Sequence, residues 1–269
     1  MSAARRGGVA VVVVVVAVAA AAFGVRQLWR SAQGSLRSDS CTVASYSVDT
    51  GQAAVAATMV SVVVTRNLPE RAAVLTLAAG LQESKLRNLA PGDGDRDSVG
   101  VLQQRPSQGW GTNAQLNDLH YATGKFLDAL VKLPNWQTDP LADAIQAVQI
   151  SADGSAYAKH EALAQALSDA LMGVTPAGIT CTFRHATSPA TAQAISTQLT
   201  GDLPVKPPTV TEKTIAVPQA SWTTAAWFVA QAGQLGIKTV SYSGQRWQSG
   251  QGWRSDTTAV ATQVSATVD

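Results

Sequence analysis

Residues Leu77–Gly111 read LAAGLQESKLRNLAPGDGDRDSVGVLQQRPSQGWG, and this stretch says most about the fold and the site. Its first part has helical character and brings one carboxylate, Glu83, to the C-terminal end of a helix. A loop rich in Gly and Asp follows, and then an extended piece with neutral amides and one Trp. These are the groups that a polysaccharide-cleaving cleft needs, because an acid protonates the glycosidic oxygen while amides hold the sugar.

Two motifs in this stretch resemble those of a known family. Glu83-Ser84 is similar to the Glu-Ser pair of soluble lytic transglycosylases and goose-type lysozymes. SVGVLQ, at Ser98–Gln103, is similar to their Ser-x-Gly-hydrophobic-hydrophobic-Gln segment. The wider run from Cys41 to Cys181 resembles a membrane-anchored, lysozyme-like group of actinobacterial proteins. The resemblance implies a lysozyme-like helical domain that acts on peptidoglycan glycan strands, with Glu83 as the general acid.

The resemblance also indicates which side chains bind sugar. Neighbouring amides on an extended segment, here Gln103 and Gln104, point to opposite sides, and the resemblance selects Gln103. The family's third motif is an Ala-Tyr-Asn helix, and its nearest counterparts are Gln146, Gln149 and Tyr157 in AIQAVQISADGSAYA. The candidate substrate-binding residues are therefore Ser98, Gln103, Gln104, Trp110, Gln149 and Tyr157.

The loop aspartates leave the reaction type open. A hydrolase would need a water molecule and a second carboxylate, which Asp93, Asp95 or Asp97 could supply. A lytic transglycosylase would need none, because the 6-hydroxyl of the sugar attacks instead. The same aspartates begin like a calcium loop, but Ser98 and Gln104 stand where that loop wants Gly and Glu. Since the three histidines are also scattered, we expect no metal and no cofactor.

The N-terminal residues are typical of an exported chain. Two arginines precede Gly7–Val25, an uncharged run dominated by Val and Ala that is just long enough to span a bilayer. We favour an uncleaved signal-anchor with the arginines in the cytoplasm, which makes the chain a single-pass protein of the cell membrane. The alternative is a cleaved signal peptide and secretion, because Ala20–Ala22 offers small residues to a peptidase. In both cases the residues after about 26 would be extracellular.

Charge and cysteine content agree with this compartment. Charged residues make up only 14% of the chain and the net charge is +2, which argues against a nucleic-acid partner. The two cysteines, Cys41 and Cys181, are most simply a disulfide in an exported protein, with two unrelated buried thiols as the alternative. A loop of about 140 residues would gain roughly 4–5 kcal/mol from such a bond in the chain-entropy model.

Outside the motifs, the hydrophobic pattern predicts mostly helices. Apolar residues recur at helical spacing in Gly51–Arg66, and Asp49 or Thr50 can cap this helix. A second helix begins at Pro69, which suits a first turn, and runs to about Asn88. Further helices are expected at 117–132, 140–150, 155–172 and 222–235, and strands at 238–242 and 259–268.

The C-terminal residues resemble a second kind of domain. LGIKTVSYSGQRW and GWRSD are similar to the end of a carboxypeptidase-like peptidoglycan domain that finishes in a His-x-x-His zinc segment. The matching stretch here is ATQVSATV, which has no histidine, so the module is interpreted as a degenerate one used for packing or binding. This loss favours a rival function, in which the chain is a non-catalytic cell-wall-binding or envelope scaffold protein.

Together these observations predict a mainly α protein. It would consist of an N-terminal transmembrane helix, a lysozyme-like helical domain and a small α/β C-terminal module. The expected order is a cytoplasmic tail at 1–8, a transmembrane signal-anchor at 9–25, a linker at 26–40, the lysozyme-like domain at 41–183, a Thr/Pro-rich linker at 184–219 and the α/β module at 220–269.

Overall fold

The centre of the core is the first described helix, α1 (Thr50–Thr65). Its sequence is apolar almost all round, and a helix of that kind must be covered on every side. Every residue from Ala56 to Val63 is buried. The helix begins with a capping box: Gln52 N donates to Asp49 Oδ1 at 2.7 Å, and Asp49 N donates to Gln52 Oε1 at 2.8 Å. The capping role that the sequence predicted for Asp49 is confirmed.

The structure, a computed structural model, describes residues 39–150 and 154–268. The remaining helices are α2 (Glu70–Ser84), α3 (Asn113–Leu116), α4 (Leu119–Leu130), α5 (Leu141–Gln149), α6 (Glu161–Leu171), α7 (Ala192–Asp202) and α8 (Trp222–Leu235), with 3₁₀ turns at Pro106–Gln108 and Gly154–His160. The strands are β1 (Ser40–Val43), β2 (Tyr46–Asp49), β3 (Ile179–Thr182), β4 (Thr209–Val210), β5 (Thr214–Pro218), β6 (Ile237–Tyr242), β7 (Gln245–Gln248), β8 (Gly252–Ser255) and β9 (Gln263–Val268).

The predicted tail and signal-anchor, and the predicted linker before Asp39, lie outside the described residues. Within those residues, no helix has the length and apolar character to cross a membrane.

Two antiparallel sheets accompany the helices. One has three strands in the order β2-β1-β3, and the other has six in the order β4-β5-β9-β6-β7-β8. The prediction of a mainly α fold is therefore wrong: the described residues are 45% helix and 18% strand, a mixed α/β fold. The three strands of the small sheet have only four residues each, and β3 pairs with β1 from far along the chain. Local periodicity cannot report such a pairing.

The small sheet carries the disulfide. Cys41 of β1 lies directly opposite Cys181 of β3, and the two sulfur atoms are bonded across a sequence separation of 140 residues. The predicted bridge is confirmed, and it is the kind of bond that an oxidising, extracellular compartment maintains.

Helix α8 covers the inner face of the large sheet and also packs against α1. Gln231 on α8 donates from Nε2 to Ala54 O at 3.2 Å and to Thr58 Oγ1 at 3.3 Å, both on α1. Trp227 and Trp247 are fully buried in the resulting core. Residues Asp39–Asp269 cluster as one compact unit, while the limits 41–183 and 220–269 stay predictions.

Helix α7 lies inside the 184–219 segment and ends in a buried carboxylate. Asp202, only 3% exposed, accepts a hydrogen bond from Trp227 Nε1 at 2.7 Å, and its Oδ1 lies 2.8 Å from His120 Nε2 on α4. This hydrogen bond raises the pKa of His120 above its usual value, although burial of the ring opposes the effect. Asp202 therefore links α4, α7 and α8 through one side chain.

Replacing both Cys41 and Cys181 with Ala should lower the free energy of unfolding by about 2–5 kcal/mol, because the unfolded chain regains the freedom that the bridge removes. Chemical denaturation of the oxidised full chain and the double variant measures this difference. Reductant should destabilise the wild type and leave the double variant unchanged. Equal stability of wild type and variant would show that the bridge contributes nothing.

The pairing of His120 with Asp202 should make stability depend on pH. Because the folded pKa of His120 is raised, its stabilising effect is complete below the unfolded value of about 6.5 and is lost as pH rises through the folded pKa. Melting temperatures between about pH 6 and pH 8 should therefore fall less for His120→Gln than for the wild type. The exposed His185→Gln is the matched control and should follow the wild type; identical slopes for all three proteins would contradict this account.

Candidate functional site

Glu83 lies in the last turn of α2 and is half-buried. Its Oε1 accepts a hydrogen bond from Tyr157 Oη at 2.5 Å and a second from Gln149 Nε2 at 3.3 Å. These are two of the three residues that the sequence matched to the family's third motif; the third is Gln146. The structure thus brings Glu83, Gln149 and Tyr157 together, although they are up to 74 residues apart in the chain.

The end of α2 is fixed by tight packing and by a sharp change of backbone direction. The helix was predicted to run to about Asn88, but it ends at Ser84 because Lys85 and Leu86 both adopt the left-handed conformation, with φ of 57° and 56°. An added Cβ on Gly80 would lie 2.9 Å from Leu86 Cδ2 and 3.1 Å from Met59 Cε. A larger residue at Gly80 would therefore require the ends of the Leu86 and Met59 side chains to shift, which shows how tightly α2 packs one turn before Glu83.

Gln149 and Tyr157 come from two different elements. Gln149 is the last residue of α5, and its Nε2 also donates to Leu102 O at 2.9 Å, so one amide links the carboxylate to the loop. Tyr157 lies in the 3₁₀ turn Gly154–His160, which packs against α2, and its side chain is fully buried. Burial fixes the ring, and its hydroxyl is therefore held at the carboxylate.

Ser84, the second residue of the Glu-Ser pair, attaches the loop to the helix. Its Oγ donates to Val101 O at 2.8 Å and accepts from Arg87 N at 3.1 Å. Gly100 has φ of 78°, and a Cβ there would lie 2.1 Å from Leu116 O. The resemblance-bearing segment is therefore a tight turn folded against the end of α2, closed by the hydrogen bond from Val99 N to Gln104 O at 2.9 Å.

The two neighbouring glutamines hydrogen-bond within the fold. Gln103 has a left-handed φ of 48°, and its Nε2 donates to Gly100 O at 2.8 Å. Gln104 is buried and donates to Ala122 O at 3.2 Å. The segment is a turn, so the alternation of an extended strand does not decide which amide faces a ligand. Their sugar-binding roles stay predictions.

Ser98 and Trp110 lie elsewhere on the same loop. Ser98 is buried, and its backbone N donates to Asp95 O at 3.0 Å. Trp110 is half-buried, its backbone O accepts a hydrogen bond from Tyr121 Oη at 3.3 Å, and the Tyr121 ring packs against Gly111. Sugar binding by Ser98 or by the Trp110 ring stays a prediction.

The loop aspartates are not equivalent. Asp97 Oδ1 accepts from Arg105 Nε at 2.7 Å and Oδ2 accepts from Ser107 N at 2.9 Å. The hydrogen bonds from Ser107, followed by those from Arg105, hold the pKa of the Asp97 carboxyl far below its usual value. Asp93 and Asp95 are exposed. Over residues 39–150 and 154–268, no three His, Cys, Asp or Glu side chains group as a metal site.

One pair beside the carboxylate was missed from the sequence. Gln82 Oε1 lies 3.0 Å from His160 Nε2, next to Glu83 on α2 and at the end of the turn that carries Tyr157. Burial of the His160 ring, with a smaller effect of Lys159, lowers its pKa below the usual value. The sequence gives one signal for this pair, because Gln82 directly precedes Glu83. His160 carries no such signal when histidines are assessed only as metal ligands.

No protein-family model matches the chain, and no curated protein is similar to it in sequence.

Ser84→Ala should destabilise the protein by about 1–3 kcal/mol, because the variant leaves the buried Val101 carbonyl without its hydrogen-bond donor. Urea denaturation of the full chain measures the effect. The exposed Ser188→Ala is the control and should change stability by no more than about 0.5 kcal/mol. If Ser84→Ala matches that control, Ser84 does not hold the loop against α2.

Proposed function

We propose that the protein cleaves β-1,4 glycosidic bonds of peptidoglycan glycan strands, with Glu83 as the general acid. The observation that carries this proposal is the orientation of the carboxyl group by Tyr157 and Gln149 at the junction of α2 and the loop. A general acid must be held in one geometry against the oxygen it protonates, and two donors from separate elements do this.

The two oxygens of Glu83 have different surroundings. Oε1 accepts both hydrogen bonds, so it is not the oxygen that carries a transferable proton. Oε2 has no hydrogen-bond partner among the residues that the structure describes, and it is the oxygen that would approach the substrate. Protonation of the glycosidic oxygen from Oε2 breaks its bond to the anomeric carbon and releases the leaving sugar as an alcohol.

The state of Asp97 favours a route with one carboxylate. Its two oxygens accept hydrogen bonds from Arg105 and Ser107. Asp97 therefore stabilises the loop and is not free to act as a nucleophile or base. In the proposed reaction the substrate's own 6-hydroxyl oxygen bonds to the anomeric carbon, and its proton passes to Glu83. The acid is thereby regenerated, and the product is a 1,6-anhydro sugar.

The Cys41–Cys181 disulfide supports an exported location, because such bonds persist in oxidising compartments. Anchoring through Gly7–Val25, with the described residues outside the membrane, is part of the proposal. Sequencing the N-terminus of the mature protein tests it: an intact N-terminus supports the anchor, and a start near Phe23 contradicts it.

Glu83→Gln should lower the release of soluble fragments from purified cell walls by about 10²–10⁴-fold, because the amide cannot transfer a proton. Binding to glycan strands should persist, since Gln keeps the size of the side chain. The exposed Glu212→Gln is the matched control and should retain full activity. Equal release by wild type and Glu83→Gln would remove Glu83 from the mechanism. Binding without release by both proteins would favour the non-catalytic wall-binding alternative.

Tyr157→Phe should act through the position of Glu83. We expect a fall in kcat of roughly tenfold with little change in KM, because the lost hydrogen bond orients the acid and does not bind the ground-state substrate. Steady-state kinetics on a soluble glycan fragment measure both constants. A rise in KM at unchanged kcat would instead place the Tyr157 hydroxyl against the substrate.

A further inference from the structure

Two arginines face each other on the hairpin formed by β7 and β8. Arg246 and Arg254 are direct cross-strand partners, and both are exposed. Trp247 and Trp253, their neighbours in the chain, also pair and pack inward, with Trp247 fully buried. Like charges directly opposite one another destabilise a sheet, so this pairing has a cost in the free protein.

One carboxylate, Asp256, lies near these two charges, but it forms no ion pair with either arginine. Neither arginine has an ion pair within 4.0 Å among residues 39–150 and 154–268. Asp256 Oδ1 accepts from Thr258 N at 2.9 Å and from Thr258 Oγ1 at 2.6 Å. These hydrogen bonds lower the pKa of the Asp256 carboxyl, and the nearby charge of Arg246 adds a smaller effect in the same direction. Asp256 is therefore oriented by its own turn. Its charge offsets part of the positive charge of the pair, but neither guanidinium is held in an ion pair with it.

The arginines border a surface depression with a volume of about 410 Å³. Neutral side chains able to donate hydrogen bonds complete much of its lining: Gln248, Gln251, Ser255 and Thr257. Arg246 and Gln248 are two residues apart on β7 and thus share one face of the strand. The alternation of side chains along β7 and the lining of the depression both place Arg246 and Gln248 on the same surface.

We propose that this depression binds a small ligand carrying a phosphate ester. A carboxylate offers two oxygens in one plane, which a single guanidinium fork already fills. A phosphate group offers more oxygens in a tetrahedral arrangement. It can therefore accept hydrogen bonds from two guanidinium groups at once, one from β7 and one from β8. With Asp256 beside them the two arginines leave the depression net positive, and this favours a phosphate monoester, which is negatively charged near neutral pH.

The rest of the depression indicates what the phosphate is attached to. Its volume exceeds that of a phosphate group, and the remaining donors are neutral amides and hydroxyls, which suit the hydroxyls of a sugar or polyol. With two arginines and the carboxylate of Asp256 at the rim, the patch lacks the extended positive charge that a long polyanion requires. The ligand class is thus a sugar or polyol phosphate, and the inference is independent of Glu83.

Isothermal titration of the full chain with glucose 6-phosphate tests the proposal, with inorganic phosphate and glucuronate as comparison probes. We expect binding of one glucose 6-phosphate per chain, weaker binding of inorganic phosphate, and the weakest binding of glucuronate. Arg246→Gln and Arg254→Gln should each weaken glucose 6-phosphate binding by at least about tenfold, because each removes a charge-assisted contact. Lys132→Gln removes an exposed positive charge from the end of α4 and should bind as the wild type does.

Melting temperatures without ligand separate binding from folding. Arg254→Gln should melt no lower than the wild type, because the substitution relieves the like-charge pair. Arg254→Lys keeps the charge without the fork and should bind with intermediate affinity. The proposal is overturned if glucose 6-phosphate does not bind the wild type, if glucuronate binds as tightly, or if Lys132→Gln loses affinity as the arginine variants do.

Discussion

The burial of helix α1 is the constraint on which the rest of the structure depends. A helix whose residues from Ala56 to Val63 are all buried needs neighbours on every side. Helices α2 and α4 cover part of it, and α8 from the C-terminal part of the chain covers another part. The large sheet packs behind α8, so its strands are placed through the same helix. Covering α1 thus brings the N-terminal and C-terminal parts of the described residues together.

The candidate site follows from the same packing. Helix α2 lies so close to α1 that an added Cβ on Gly80 would be 3.1 Å from Met59 Cε, so the two helices pack tightly just before the last turn of α2. This packing contributes to the position of Glu83 at the end of α2. The hydrogen bond from Ser84 to Val101 then attaches the loop, and Tyr157 and Gln149 orient the carboxyl group. The geometry of the site therefore depends on the packing of α2 in the core.

Helices could be predicted from the sequence because their signals are local. The expected helix at 222–235 has the observed limits, and it ends at Gly236, whose φ of 81° suits glycine. Sheets could not be predicted in the same way. Strand β1 pairs with β3 across a sequence separation of about 140 residues, which is also the separation of the two cysteines. Strand β5, which pairs with β9, lies in a segment whose composition resembles a linker. No window of neighbouring residues contains both partners of such a pair, and a mainly α prediction was the result.

The site was partly predictable for a similar reason. The match of short motifs pointed to Glu83, Gln149 and Tyr157, which the fold brings into contact, whereas the assumption of an extended segment failed at Gln103, which lies in a turn.

The central claim is that Glu83 cleaves glycan strands without a second carboxylate. Mass spectrometry of fragments released by the full chain from purified peptidoglycan in H₂¹⁸O tests it most directly. The account predicts 1,6-anhydro ends without ¹⁸O; ¹⁸O at the new ends, or no released fragments, would contradict it.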